Sequence, residues 1–164
     1  MKARQTLAAV LTFGWWMGSV YAWSGDLPPL SSGQTVYVPV YSQIYHGNMD
    51  RDGKPKEILL SSMLSVRNTD PKHSMTITSV KYYDTHGKVL REYLSQPVTL
   101  AAMGSTDYFV EYKDRSGGTG ANFVVVWKSA KPVNPPIMEA VHAYFWGSSS
   151  QSFISRGQAI HTHE

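Results

Sequence analysis

From residue 36 onward the chain is written in a period of two. The run VYVPVYSQIY, Val36 to Tyr45, alternates aliphatic residues with tyrosines. In an extended chain Val36, Val38, Val40 and Ile44 share one face, and Tyr37, Tyr41 and Tyr45 share the other. The alternation returns in ILLSSMLSVRN (58–68), where Ile58, Leu60, Leu64 and Val66 oppose Ser61, Ser65 and Arg67. MTITSVKYYD (75–84) is β-branched and aromatic, and Asp84 to Gly87 predicts a tight hairpin into KVLREYL. VTLAAMGSTDYFVEYKD (98–114) reads as two short strands turned at Gly104. NFVVVW (122–127) is apolar on both faces, the pattern of a strand in the middle of a sheet. Two further strands are predicted near 137–146 and 151–160, separated by GSSS.

Turn formers punctuate these runs at HGNMDRDGKPKE (46–57), NTDPKHS (68–74), DRSGGTGAN (114–122) and KPVNPP (131–136). No helical period interrupts them. Seven to nine short strands at such spacing predict an all-β fold, an antiparallel two-sheet immunoglobulin-like sandwich, with a small β-barrel as the alternative.

The start is of another kind. Lys2 and Arg4 precede an uncharged apolar run from Leu7 to Val20, and Val20-Tyr21-Ala22 fits a signal-peptidase site. The run is shorter than the ~20 residues that span a bilayer. Residues 1–22 are therefore expected to be a helical, cleaved export signal, leaving no membrane span and a protein of the periplasm or the extracellular space. WSGDLPPLSSGQ (23–34) reads as a flexible lead segment, 35–160 as one domain and 161–164 as a tail. Cleavage would remove two cations and leave 13 Lys plus Arg against 12 Asp plus Glu. A chain so near neutrality, with no basic cluster, offers no footprint for nucleic acid. There is no cysteine, so thiolate chemistry and disulfide staples are excluded, and packing alone must hold the fold.

With the strands placed, VYVPVYSQIYHG, SVRNTDPKHSMTITSVKYYDTHGKVL, SGGTGANFVVVW and NPPIMEAV together resemble the bacterial domain-of-unknown-function family 3124 over about Val36 to Ile160. The resemblance implies an exported bacterial single-domain protein and brings no activity, cofactor or site residue. More loosely, the unit running from Asn68 through Tyr83-Asp84 to Gly87 is similar to immunoglobulin-like accessory domains of bacterial envelope proteins.

The remaining residues argue against several chemistries. Gly117, Gly118 and Gly120 beside Arg115 could cradle an anion, but a strand follows them and no helix begins there, so a connecting loop is expected, mobile or tightly turned. His46, His73 and His86 fall in separate turns. His161, His163 and Glu164 could chelate a divalent ion, but so short a tail predicts an adventitious site. No Gly-x-Ser-x-Gly or Ser-x-x-Lys motif occurs in the mature chain. Asn68, Asp70 and Asp84 are assigned to turn geometry.

The expected function is a non-catalytic binding or protein-interaction module of the cell envelope that takes another envelope protein or ligand. The alternatives are a hydrolase whose site is not recognisable in sequence and a histidine-based metal binder. No catalytic residue, metal site or cofactor is assigned. The candidate binding residues are Tyr37, Tyr41 and Tyr45. Pro39 within the same run cannot donate to a ladder, which predicts a sheet edge or a bulge at that point.

Overall fold

The computed structural model describes residues 27–163. The expected export signal at 1–22 lies outside the described residues. Twelve strands occur among them: β1 (Ser31–Val40), β2 (Gln43–His46), β3 (Lys56–Leu59), β4 (Ser61–Arg67), β5 (Met75–Tyr83), β6 (Val89–Glu92), β7 (Val98–Leu100), β8 (Ser105–Val110), β9 (Ala121–Val133), β10 (Ile137–Trp146), β11 (Ser149–Arg156) and β12 (Gln158–Thr162). All pairings are antiparallel. One sheet runs β12-β1-β9-β5-β6, with β7 also on β5; a second runs β11-β10-β4-β8; β2 and β3 form a separate ribbon. None closes into a barrel. Among the described residues no helix is long and apolar enough to cross a membrane.

The aliphatic faces read from the sequence meet between the two large sheets. Val36, Val38 and Val40 of β1 and Phe123, Val125 and Trp127 of β9 join Leu64 and Val66 of β4 and Met138 and Ala140 of β10 in one buried cluster. Each Val, Leu, Phe or Met side chain among them contributes about 1.5–3 kcal/mol by leaving water. β5 reaches the same core despite an irregular pattern, since Met75 and Ile77 are odd-numbered and Val80 and Tyr82 even, yet all four are buried. The register against β9 shifts between Ile77 and Ser79. That bulge adds a residue to one strand and returns the next side chains to the core.

The outcome differs from the sequence reading in two places. There are more strands than nine, because runs 36–45, 58–68 and 151–160 each change sheet part way. β1 starts at Ser31, inside the expected lead segment, and the expected tail contributes His161 and Thr162 to β12. β1 lies between β9 and β12 in the sheet. Its pairing with β12 nevertheless ends at Tyr37, and the register slips between Thr35 and Val36. Pro39 is opposite Asn122 of β9, while its carbonyl accepts the Ser155 hydroxyl on the other side. N and C=O of one strand residue point the same way, so the missing N–H faces the side where the β12 ladder has already stopped.

The glycine-rich loop connects β8 to β9, as the sequence predicts. It is tied down: Gly118 O accepts from Ser42 N at 3.1 Å, and Gly117 O accepts from both the N–H and the hydroxyl of Thr85 at 3.0 and 2.9 Å. A Cβ on Gly117 would overlap the Tyr82 hydroxyl and come within 2.6 Å of Ser42 Oγ, two groups that hydrogen bond to each other at 2.7 Å in the interior. The Arg115 guanidinium also pairs with Glu57 of β3.

Candidate functional site

Tyr37, Tyr41 and Tyr45 do not form one row. The chain leaves the first sheet after Val40 and enters the ribbon at Gln43, so the period of two is broken between the second and third tyrosines. Tyr37 is half-buried on β1, opposite Val124 and Gln158. Tyr45 is 56% exposed on β2, opposite Glu57. Tyr41, also half-buried, turns its ring edge-on to His142 at 5.5 Å and to Phe153 at 5.8 Å.

His142 is the centre of a group that the tyrosines only border. Its ring is fully buried and stacks on Phe153 at 4.6 Å. Nδ1 lies 2.8 Å from Ser62 Oγ, and Nε2 lies 3.0 Å from Ser155 Oγ. The Ser155 hydroxyl is given to the Pro39 carbonyl, and Ser62 Oγ is 3.2 Å from the Tyr41 carbonyl. With its proton committed to Pro39, Ser155 accepts from Nε2–H. Nδ1 is then the acceptor, and Ser62 donates to it. Burial pushes the imidazole pKa down to about 4, so the ring is neutral near pH 7.

These contacts join the end of β1 to β4, β10 and β11. The Ser155 hydroxyl satisfies the Pro39 carbonyl, which has no ladder partner once β12 has ended, as a buried backbone requires. A Ser–His pair is also the core of many nucleophilic sites. Here neither member reaches solvent, and no carboxylate is among the ring's hydrogen-bonding partners. The arrangement does structural work. The sequence carries a signal for it that no motif captures: His142 has the parity of Met138 and Ala140, and Ser62 that of Leu64 and Val66, which puts both on the core face.

The most open aromatic surface lies at the far end of the β10–β11 hairpin. Phe145 and Trp146 are 74% and 71% exposed. Trp146 pairs with Ser149 across a two-residue turn, with Gly147 at φ 55°. Only glycine adopts such a φ readily. Tyr144 lies 6.2 Å from Tyr112, ring centroid to ring centroid. Neighbours in a strand point to opposite faces, so Phe145 and Trp146 present apolar area on both sides of the tip.

Of the C-terminal histidines, His161 sits in the paired strand β12 and His163 just beyond it. His161 is opposite Thr35 on β1. His163 Nε2 is 3.1 Å from Thr35 Oγ1, and the two imidazoles meet edge to face at 4.8 Å. Among the described residues no three His, Asp or Glu side chains gather as a metal site; Glu164 lies outside them. His46, expected in a turn, is exposed at the end of β2 opposite Lys56, His86 is exposed on the turn after β5, and His73 Nδ1 is 3.2 Å from Asp70 Oδ1.

No curated protein matches the chain. Among solved structures, one titled "Crystal Structure of Thermotoga maritima 1070" is similar at 12% identity and a TM-score of 0.44, covering 79% of this chain and 97% of that one. A family model described as "Protein of unknown function (DUF3124)" matches residues 33–160. The chain therefore belongs to that family of proteins of unknown function.

Proposed function

We propose that this protein is an exported, non-catalytic interaction module of the bacterial cell envelope, an immunoglobulin-like sandwich that holds a protein partner or ligand at one end. The observation that carries the reading is the open hairpin tip, where Phe145 and Trp146 leave most of their surface in water. Exposed aromatics grouped on a rigid hairpin offer contact area with little ordering cost, and such residues dominate binding energies. Tyr45, on the separate β2–β3 ribbon, is the member of the tyrosine set with the most free surface and is assigned a contributing role. Tyr37 and Tyr41 act through the scaffold. The buried setting of Ser62 and His142 favours binding over hydrolysis.

The test is capture from an envelope extract, using protein produced from the full chain. Its intact mass should begin at Trp23. The wild type should retain a specific component, and Phe145→Ala with Trp146→Ala should reduce that capture at least about tenfold, the effect of losing a hot spot, without lowering the melting temperature. Equal capture by the variant would remove the tip from the reading. Ester hydrolysis abolished by Ser62→Ala would replace it with the hydrolase.

A further inference from the structure

One apolar row crosses the outward face of the four-stranded sheet. The register sets Ile154 of β11 opposite Val141 of β10, Val141 opposite Met63 of β4, and Met63 opposite Phe109 of β8. Residues so paired stand side by side on one face. The face is the outer one, because the alternate residues Ala140, Leu64 and Tyr108 are buried in the core. Ile154 is 55% exposed, Phe109 50% and Met63 38%.

A charged row runs beside it, with Arg156, Glu139, Ser65 and Asp107 in the same strand order. Arg67 stands one row further along β4. Among the described residues, Arg67, Asp107, Glu139 and Arg156 take part in no ion pair. On the other flank Ser152, Ala143 and Ser61 are small, which lets a second surface approach closely.

We propose that this face is the interface of a homodimer, in which a second copy of the chain packs sheet to sheet about a twofold axis parallel to the strands between β10 and β4. Such an axis lays β11 over the partner's β8 and β10 over the partner's β4, with the rows kept level. Ile154 then meets the partner's Phe109, and Val141 meets the partner's Met63. Arg156 faces the partner's Asp107. Glu139 faces the partner's Ser65 and lies one row from the partner's Arg67. Asp107, Glu139, Arg67 and Arg156 each gain an opposite charge, while Glu111, on the same face just beyond β8, meets the partner's Ser152; such matching is the self-complementarity a twofold interface requires. A twofold axis across the strands fails this condition, since it sets Asp107 against the partner's Glu111, which directly follows β8.

Sedimentation equilibrium on protein produced from the full chain tests the interface. The wild type should have the mass of a dimer. Arg156→Asp and Asp107→Arg should each weaken association at least about tenfold, as expected for reversing one member of a close charge pair, and the double variant should recover most of the loss. Met63→Lys should be a monomer whose circular dichroism matches that of the wild type. A wild type that stays monomeric overturns the proposal, including one whose row is covered by a different protein. So does a dimer indifferent to Met63→Lys, or a double variant as weak as either single one. Trp146→Ala, on the opposite side of the tip from the dimer face, should still dimerise, so the two surfaces fail separately.

Discussion

At the scale of single residues, the fold depends on polar side chains whose value comes from being buried and fully partnered. His142 is the clearest case, and its pKa gives a signed prediction. Burial holds the folded-state value near 4, below the ~6.5 of an unfolded chain. Between those values the unfolded state binds the extra proton, so stability should fall as pH drops from about 6.5 toward 4 and level off above that window. The loss between pH 7 and pH 4.5 should be on the order of 2 kcal/mol. Asp70 and Asp84, whose carboxylates are held low chiefly by the backbone N–H groups of Lys72 and Lys88, lose their contribution at lower pH. Denaturant unfolding at a series of pH values should show the upper window in the wild type and lose it in His142→Asn. An unchanged slope in that variant would assign the window to another group.

At the scale of elements, the alternation identified strands but not the sheet each one joins. Val36 to Tyr45, Ile58 to Arg67 and Gln151 to Ile160 each read as one strand in the sequence but change sheet part way, at Ser42, Leu60 and Gly157. The junctions are held by contacts remote in sequence: Leu60 N donates to Ser42 O at 2.9 Å, and Gly157 N donates to Met138 O at 2.8 Å. A Cβ on Gly157 would stand 2.9 Å from both the Met138 carbonyl and Val36 Cγ1. Gly157→Ala should therefore cost about 1–3 kcal/mol through overpacking, read as a lower denaturation midpoint with an unchanged slope. A neutral result would mean that β1 and β10 can separate at this point. The hairpin at Asp84 to Gly87 was legible because it is local: Gly87 sits at φ 80°, and Asp84 Oδ1 takes the N–H groups of His86 and Lys88.

At the scale of the whole molecule, the two ends of the domain close the first sheet, with β12 pairing β1 from Gln34 to Tyr37. An expendable tail is not what the register shows, since His163 N also donates to Gly33 O at 2.9 Å. Removing residues 158–164 should lower the melting temperature by about 5 °C or more and promote aggregation through the bared edge of β1. Calorimetry of the truncated protein checks this, and an unchanged transition would make β12 an ornament on a complete sheet. By itself the sequence determined the strand content, the core faces, the absence of thiol chemistry and the turns at Asn68 and Asp84, because all of these rest on neighbours within a few residues or on composition. Only the tertiary structure decided that the tyrosines part company at Ser42, that the glycine loop is pinned under Tyr82, that Ser62, Ser155 and His142 meet, and that Ile154, Val141, Met63 and Phe109 stand in one row. Each depends on which distant strand supplies the ladder, and a period of two is the same whichever partner is chosen.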